Sequence, residues 1–358
     1  MHSITRRSLL SLGAAAVAGG LLAGCSDTGK RDGPAAQAPA EEPAEEAVTY
    51  SYDGNDFQMK LRKSEELYAE CDEKGTVESV TYDTRAYALE ELLGEGELPM
   101  RKTMYVYLPY GYDPAKQYNV LYLMHGGGES ELYWLTSEGN NKGKSTCALL
   151  DNLNKEGKCA DTIVVTPTYE SVPEGYEDKA AAVFGAAAGE DESGANKQVE
   201  LFYHELRNDV IPAIESAYPT FAGGDVSEES LVATREHRGF AGFSMGSMTT
   251  FRAAMLHCTD LFAYFGCFSG AKTTPEEIQE ALTGTFADYE VKYWYNGNGT
   301  EDIAHDEHRK TWEETVAALP DVFRDGENTC WVDFEGGTHS YPAWVIDLYN
   351  CMLVFFKL

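Results

Sequence analysis

Gly239-Phe240-Ala241-Gly242-Phe243-Ser244-Met245-Gly246-Ser247 decides the fold. An apolar run almost free of charge closes in Gly242-x-Ser244-x-Gly246, and a helix-compatible run from Met248 to Leu256 follows. In that strand–turn–helix setting a G-x-S-x-G pentapeptide forms a nucleophile elbow. A serine on so tight a turn needs neighbours without Cβ bulk, because the backbone is strained and adjoining segments pack close. The turn lifts the hydroxyl above the sheet and aims the next backbone N–H, that of Met245, at a developing oxyanion. Gly and Ser fill many turns, so the flanking runs carry the reading rather than the pentapeptide alone.

Upstream, Asn119-Val-Leu-Tyr-Leu-Met124 is a continuous apolar run, the mark of a strand buried on both faces. It opens into His125-Gly126-Gly127-Gly128-Glu129. Consecutive glycines at a strand's C-terminal end leave backbone N–H groups free to face a ligand. Beside an elbow serine, this HGGG loop is expected to supply the second oxyanion donor, through Gly127 and Gly128. Further strands are predicted at 75–82, 104–109, 162–167, 261–268, 291–295 and 330–334, the first two pairing antiparallel at a sheet edge. Helices are predicted at 145–155, 199–218, 305–318 and 343–356. In the second of these, Phe202, Leu206, Val210 and Ile214 form one stripe and Pro212 marks a kink or boundary. Residues 170–198, rich in Gly, Ala, Glu and Asp, are expected to form a long flexible loop, either a lid or a surface insertion. Strands alternating with helices imply an α/β class with a mostly parallel sheet covered on both faces.

A serine hydroxyl needs a base to take its proton, and the base needs a carboxylate to fix its tautomer. In this topology the chain order is serine, acid, histidine. His339 follows the last predicted strand inside Gly336-Gly337-Thr338-His339 and is the expected base. His257 ends a helix and His237 starts the elbow strand, so both are expected to face away. His305 and His308, in Ala-His-Asp-Glu-His, lack two further placed ligands for a metal, and a solvated helix start is expected instead. Asp302 ends the Gly299-Thr-Glu-Asp loop and is the expected acid, with its neighbour Glu301 open as the alternative.

The 358 residues carry 28 basic and 59 acidic side chains, a formal net charge of −31. Such a surface repels phosphate backbones, so no nucleic-acid partner is expected. Residues 1–25 have the pattern of a targeting segment: Arg6-Arg7 precede an apolar run, which closes in Leu22-Ala23-Gly24-Cys25. The paired arginines resemble a twin-arginine export signal and the closing tetrapeptide a bacterial lipobox, which implies lipidation at Cys25. Export, with a membrane association through that N-terminal lipid only, is expected. Residues 26–48 are expected to be a disordered acidic tether, and 49–358 the globular domain with an N-terminal strand extension. Seven cysteines remain, an odd number without a C-x-x-C pair. Cys258, Cys267, Cys330 and Cys351 are expected in the core, and Cys147 and Cys159 are the only two close in sequence.

Several stretches together resemble the feruloyl esterase domains attached to bacterial xylanases, in the esterase D-like, family 1 carbohydrate esterase branch of the α/β-hydrolases. They are Tyr107-Leu-Pro-Tyr-Gly-Tyr-Asp113, Leu123-Met-His-Gly-Gly-Gly128, Val164-Val-Thr-Pro167, His237 to Gly246, Gly299-Thr-Glu-Asp-Ile-Ala304 and Thr338-His339. The resemblance spans about residues 75–358. It implies the α/β-hydrolase fold, a Ser244–His339–Asp302 triad, an oxyanion hole from Met245 and the Gly126–Gly128 loop, and ester hydrolysis without metal or cofactor. It implies a small-molecule or oligosaccharide ester as substrate, feruloyl or related. In the resembled domains a tryptophan follows the Ser-Gly that corresponds to Ser269-Gly270, whereas this chain has Ala271-Lys272-Thr273-Thr274; Ser340-Tyr341 stands where they carry a tryptophan pair. Tyr133, Trp134, Tyr341 and Trp344 are the expected aromatic platform, with core packing as the alternative for each. An acyltransferase of the mycolyltransferase kind, an esterase for small acyl groups, and a non-catalytic binding lipoprotein are the rival readings.

Overall fold

Strands β5 (Asn119–Met124) and β7 (Arg238–Phe243), buried at every position, lie side by side at the centre of an eight-stranded sheet. The computed structural model describes residues 47–52, 55–60, 65–137, 142–187 and 195–357. The sheet also contains β3 (Thr76–Arg85), β4 (Pro99–Leu108), β6 (Thr162–Thr166), β8 (Tyr264–Phe268), β9 (Tyr293–Gly299) and β10 (Thr329–Phe334), in the order β10-β9-β8-β7-β5-β6-β4-β3. From β10 to β6 every pairing is parallel; β4 and β3 add on antiparallel, so the expected edge pair is present. A separate hairpin, β1 (Ala47–Tyr52) and β2 (Asn55–Lys60), precedes the sheet.

The helices are α1 (Tyr87–Leu93), α2 (Lys142–Lys155), α3 (Glu177–Ala187), α4 (Ala195–Glu205), α5 (Ile211–Ala217), α6 (Glu228–Ala233), α7 (Met245–Thr249), α8 (Pro275–Glu280), α9 (His305–Ala318) and α10 (Tyr341–Val354). They cover both faces, as all-apolar parallel strands require. One core holds Phe240, Phe265 and Trp294 under α4, α5 and α9; the other holds Ala241, Phe243 and Tyr295 under α2 and α10. The alternation follows from the two-residue period of a strand. This is the α/β-hydrolase architecture.

Several expectations need correction. The segment 170–198 is not one loop: it contains α3, and α4 starts within it; residues 188–194 lie outside those described. The helix expected at 199–218 begins at Ala195 and is interrupted by a π-helical turn, Leu206–Val210. Pro212, which has no N–H to donate, sits in the first turn of α5 just after it, so the chain continues helical through the proline. The strand expected at 291–295 runs as Tyr293–Gly299, because its polar tail Asn296-Gly-Asn-Gly still pairs with β8 and β10. The domain boundary also moves: β1 takes in residues 47 and 48 of the expected tether, while the expected signal, the lipidation site Cys25 and tether residues 26–46 lie outside the described residues. No helix among the described residues is long and apolar enough to cross a membrane.

The seven cysteines from Cys71 to Cys351 are all free thiols, Cys147 and Cys159 included. Cys258, Cys267, Cys330 and Cys351 are buried as expected.

Candidate active site

The C-terminal ends of five adjacent parallel strands, β5, β7, β8, β9 and β10, converge, and ligands of open parallel sheets bind outside such ends. At the end of β7, Ser244 has φ 53° and ψ −117°. A side chain held at positive φ costs roughly 1–3 kcal/mol, which only a well-braced turn sustains. The bracing is visible: the Ser244 N–H donates to the Phe268 carbonyl at 2.8 Å, and α7 starts at the next residue. A Cβ on Gly242 would fall 2.7 Å from the Gly246 backbone, and one on Gly246 would fall 2.6 Å from the Met124 and His125 carbonyl oxygens. The spacing G-x-S-x-G is therefore the spacing at which β5, β7 and α7 touch.

His339 and Asp302 arrive on two loops that meet backbone to backbone. A Cβ on Gly299 would lie 2.2 Å from the Gly337 carbonyl oxygen, and one on Gly337 would strike Phe334. The Glu301 N–H donates to the Gly337 carbonyl at 2.8 Å. Held so, His339 Nε2 lies 3.0 Å from Ser244 Oγ, and His339 Nδ1 lies 2.9 and 3.0 Å from the two Asp302 carboxylate oxygens. Glu301 is exposed and uses its backbone rather than its carboxylate, so the acid beside His339 is Asp302.

Burial alone pushes the Asp302 carboxyl up, yet His339, the Ala304 N–H (2.8 Å) and the Ser269 hydroxyl together bring it below the ordinary aspartate value. Asp302 therefore stays an acceptor, and the proton between the pair sits on His339 Nδ1. That leaves Nε2 with a lone pair facing the Ser244 hydroxyl, the geometry for general-base activation of an attacking alcohol.

Two side chains not expected from the sequence complete the arrangement. Ser269, also left-handed at φ 55°, accepts the Trp344 indole N–H at 2.9 Å and donates to Asp302. His308 is fully buried, which corrects the expected solvated helix start. It accepts the Gly270 N–H at Nδ1 (3.3 Å) and faces the Asn296 side-chain oxygen with Nε2 (3.2 Å). Burial pushes its imidazole down to about 3, so it is neutral and supports the turn behind Ser244. His305 instead bonds Asp306 and Asp333; burial lowers its basicity, but the two carboxylates outweigh it and raise its value. No cluster of metal-binding side chains occurs among the described residues. A Ser-Gly at a strand end next to an elbow was the available signal for Ser269; none in the sequence marks His308.

The expected aromatic platform divides. Trp134 is fully buried and donates its indole N–H to the Met124 carbonyl, so it is core, and Tyr133 packs beside it. Trp344 is 8% exposed, stacks on Phe243 with ring centres 3.9 Å apart, and presents its edge to His339 at 5.2 Å. It is a wall beneath the histidine rather than an open platform. Tyr341, partly buried, lies 2.9 Å from the Thr146 hydroxyl through its own. His257 stacks on Tyr203 and His237 bonds Asn119, both away from Ser244 as expected.

The profile of the Esterase family matches residues 96–350. Endo-1,4-beta-xylanase Y of Acetivibrio thermocellus is 34% identical over 226 residues, 61% of this chain and 18% of that protein. An endo-1,4-beta-xylanase/feruloyl esterase of Xylanibacter ruminicola is 29% identical over 248 residues, 68% of this chain and 28% of that protein. The chain thus spans less than a third of the length of these relatives. Among solved structures, a mutant feruloyl esterase module from Clostridium thermocellum complexed with sinapinate superposes with a TM-score of 0.64 at 27% identity, covering 88% of this chain and 97% of that one. A ferulic acid esterase from the anaerobic fungus Anaeromyces mucronatus in complex with ferulic acid shares the fold, with a TM-score of 0.62 at 22% identity over 84% and 98% of the two chains. The family profile covers well over half of the sequence, and the chain belongs to the Esterase family of α/β-hydrolases.

Proposed function

We propose that this protein is a serine carboxylic-ester hydrolase acting through an acyl-enzyme. The unbroken chain Ser244 Oγ–His339–Asp302 on a strained elbow is the observation that carries the reading. Ser244 Oγ attacks the ester carbonyl as its proton passes to His339 Nε2, and Asp302 stabilises the imidazolium. The N–H groups of Met245, Gly127 and Gly128 receive the oxyanion. As the tetrahedral adduct collapses, the proton on His339 passes to the departing alcohol. Water then repeats the sequence, with His339 as base, to release the acid and restore Ser244. General-base help is worth about 10²–10⁴-fold, and each oxyanion donor about 10²–10³-fold.

The substrate class is an acyl ester of plant polysaccharide, feruloyl or related. Support comes from the two relatives that carry xylanase names, one of them also feruloyl esterase, and from the sinapinate-bound neighbour. Residues 1–25 support export with lipid at Cys25, where a tether would keep the domain outside the cell at the membrane.

Hydrolysis of methyl ferulate and p-nitrophenyl acetate by the wild type and Ser244→Ala tests both halves. Ferulate release that the substitution abolishes is the expected result. Turnover of acetate alone keeps the nucleophile and discards the aromatic acyl group. Activity surviving Ser244→Ala sinks the mechanism, and transfer of the acyl group to added alcohol in place of water assigns a transferase.

A further inference from the structure

The oxyanion loop is held from behind by groups the reaction itself does not use. A peptide unit is planar and trans, so its C=O and N–H point in opposite directions. The Gly126 carbonyl oxygen and the Gly127 N–H belong to one such unit. Three donors gather on that oxygen: His125 Nδ1–H at 2.8 Å, the Tyr169 hydroxyl at 3.2 Å and, weakly, the Glu129 N–H at 3.4 Å. Pinning the oxygen on the His125–Tyr169 side turns the Gly127 N–H the other way. Among the described residues that N–H has no protein acceptor, and the Met245 N–H, opening α7, has no acceptor in its helix.

Tyr169 is central to this arrangement. It is 3% exposed, stacks on the His125 ring at 4.8 Å, and its hydroxyl also lies 3.7 Å from Met245 Sδ. One phenol thus touches the Gly126 end of the Gly126–Gly127 peptide and the Met245 side chain, one contact for each half of the oxyanion site. Burial pushes its ionisation far above any working pH, so it remains a donor.

The segment carrying Tyr169 is itself anchored. The Thr168 hydroxyl donates to His125 Nε2 at 2.8 Å, since Nδ1 holds the ring proton, and burial pushes His125 down to about 4, keeping it neutral. Lys102 Nζ donates to the Thr168 carbonyl at 2.5 Å and the Ser171 hydroxyl at 2.9 Å, and pairs with Glu205 at 2.8 Å. The Tyr82 hydroxyl and the Ser171 hydroxyl complete Glu205 at 2.6 and 2.9 Å. Both charges of this ion pair are buried, and a pair so fully bonded is a rigid fixture. It sits between β4 and α4 and holds the Thr168 carbonyl and the Ser171 hydroxyl, one on either side of Tyr169.

We infer that Tyr169 is a positioning residue for the oxyanion site, setting the orientation of the Gly126–Gly127 peptide and the seat of Met245 through one hydroxyl. The inference rests on the serine-esterase reading of Ser244. It predicts a defect confined to the transition state, because the oxyanion forms only there.

The test compares the wild type, Tyr169→Phe and Ser244→Ala on a p-nitrophenyl ester, with a boronic acid as tetrahedral mimic and the free carboxylic acid as product mimic. Tyr169→Phe keeps the ring and its stacking. A fall of about tenfold or more in kcat with KM unchanged is expected; this is less than the 10²–10³-fold loss on removing a donor outright, since the N–H is misaligned rather than absent. Boronate affinity should fall in proportion while product affinity holds. Unchanged kcat, or losses in boronate and product binding of equal size, overturns the inference. If Tyr169→Phe does not fold, Thr168→Val frees the other donor of the same carbonyl, and the same split of kcat from KM is required. Ser244→Ala separates the two claims: if it retains turnover the esterase reading fails, whereas a dead Ser244→Ala beside a fully active Tyr169→Phe fails only the inference.

Discussion

The two ends of the central strands are built on opposite principles. At the C-terminal end lie two left-handed serines, loops touching through glycine and, among the described residues, a Gly127 N–H with no protein acceptor. At the N-terminal end of β7 almost every polar group is occupied. Arg238 and Glu215 form an ion pair at 2.9 Å with both side chains 1% exposed. Arg238 also donates to the Leu261 carbonyl at 2.9 Å, to the Thr234 hydroxyl, and to the Leu231 carbonyl, while the Thr220 hydroxyl bonds Glu215. Arg235 binds the carbonyls of Thr259, Phe262 and Glu290 at 2.9, 2.6 and 2.9 Å. One end stores strain and open hydrogen-bonding capacity; the other fixes the strand so that the strain persists.

If the ends are separable, substitutions at each should move different quantities. Asp302→Asn should lower kcat by about 10³–10⁴-fold by allowing the wrong histidine tautomer, with the melting temperature little changed. Glu301→Gln should stay within about twofold; comparable losses from the two in steady-state assays would undo the assignment of the acid. At the other end, Arg238→Met leaves Glu215 buried without its charge partner. It should destabilise the fold by about 3–5 kcal/mol in urea titrations, with kcat per folded molecule unchanged. A kcat loss matching Asp302→Asn would show that the ends are coupled.

The smallest expected effect concerns acid. His125 and His308, both at the reactive end, are neutral when folded, with values near 4 and 3, but titrate near the ordinary histidine value of about 6.5 when unfolded. Their contribution is complete above about pH 6.5 and is lost as pH falls towards 4, at about 1.4 kcal/mol per pH unit for each group. Asp347, on α10 behind β9, opposes them. Burial pushes its carboxyl well above the ordinary aspartate value, against the Tyr295 hydroxyl bonded to it at 2.8 Å, so it favours the folded state as pH falls. Thermal unfolding should therefore show stability falling as pH drops from about 6.5 towards 4, with Asp347 reducing the loss. Asp347→Asn removes the opposing proton and should steepen the slope; an unchanged slope would remove these histidines from the acid response.

The parts of this molecule that were legible in the sequence were those with local signals. The elbow, the HGGG loop, helix 305–318 and the loops bearing Asp302 and His339 each follow a buried strand at short range, and the apolar runs announce those strands. The choice between Glu301 and Asp302 was not local: it depends on the contact of the Gly299 and Gly337 loops across β9 and β10. The same holds for Tyr169 and His308, which resemble ordinary loop and helix residues until β5 and β8 stand beside them. Trp134 and Trp344 kept two readings, platform and core, because an aromatic near a histidine looks the same in sequence whether it faces ligand or core; Trp134 proves to be core and Trp344 a wall beside His339. Segment 170–198 misled by composition, since its Gly, Ala and Glu content suits a loop and α3 equally.

The free thiols have a practical bearing on how such a protein withstands its surroundings. Burial pushes Cys147, Cys159, Cys258, Cys267 and Cys330 up to about 12, and Cys351 well above its usual value, so almost none is present as the reactive thiolate near neutrality. With no cross-link among the described residues, nothing there is available for a reductant to break. Among the described residues the fold is therefore held by packing and hydrogen bonds rather than by any covalent cross-link.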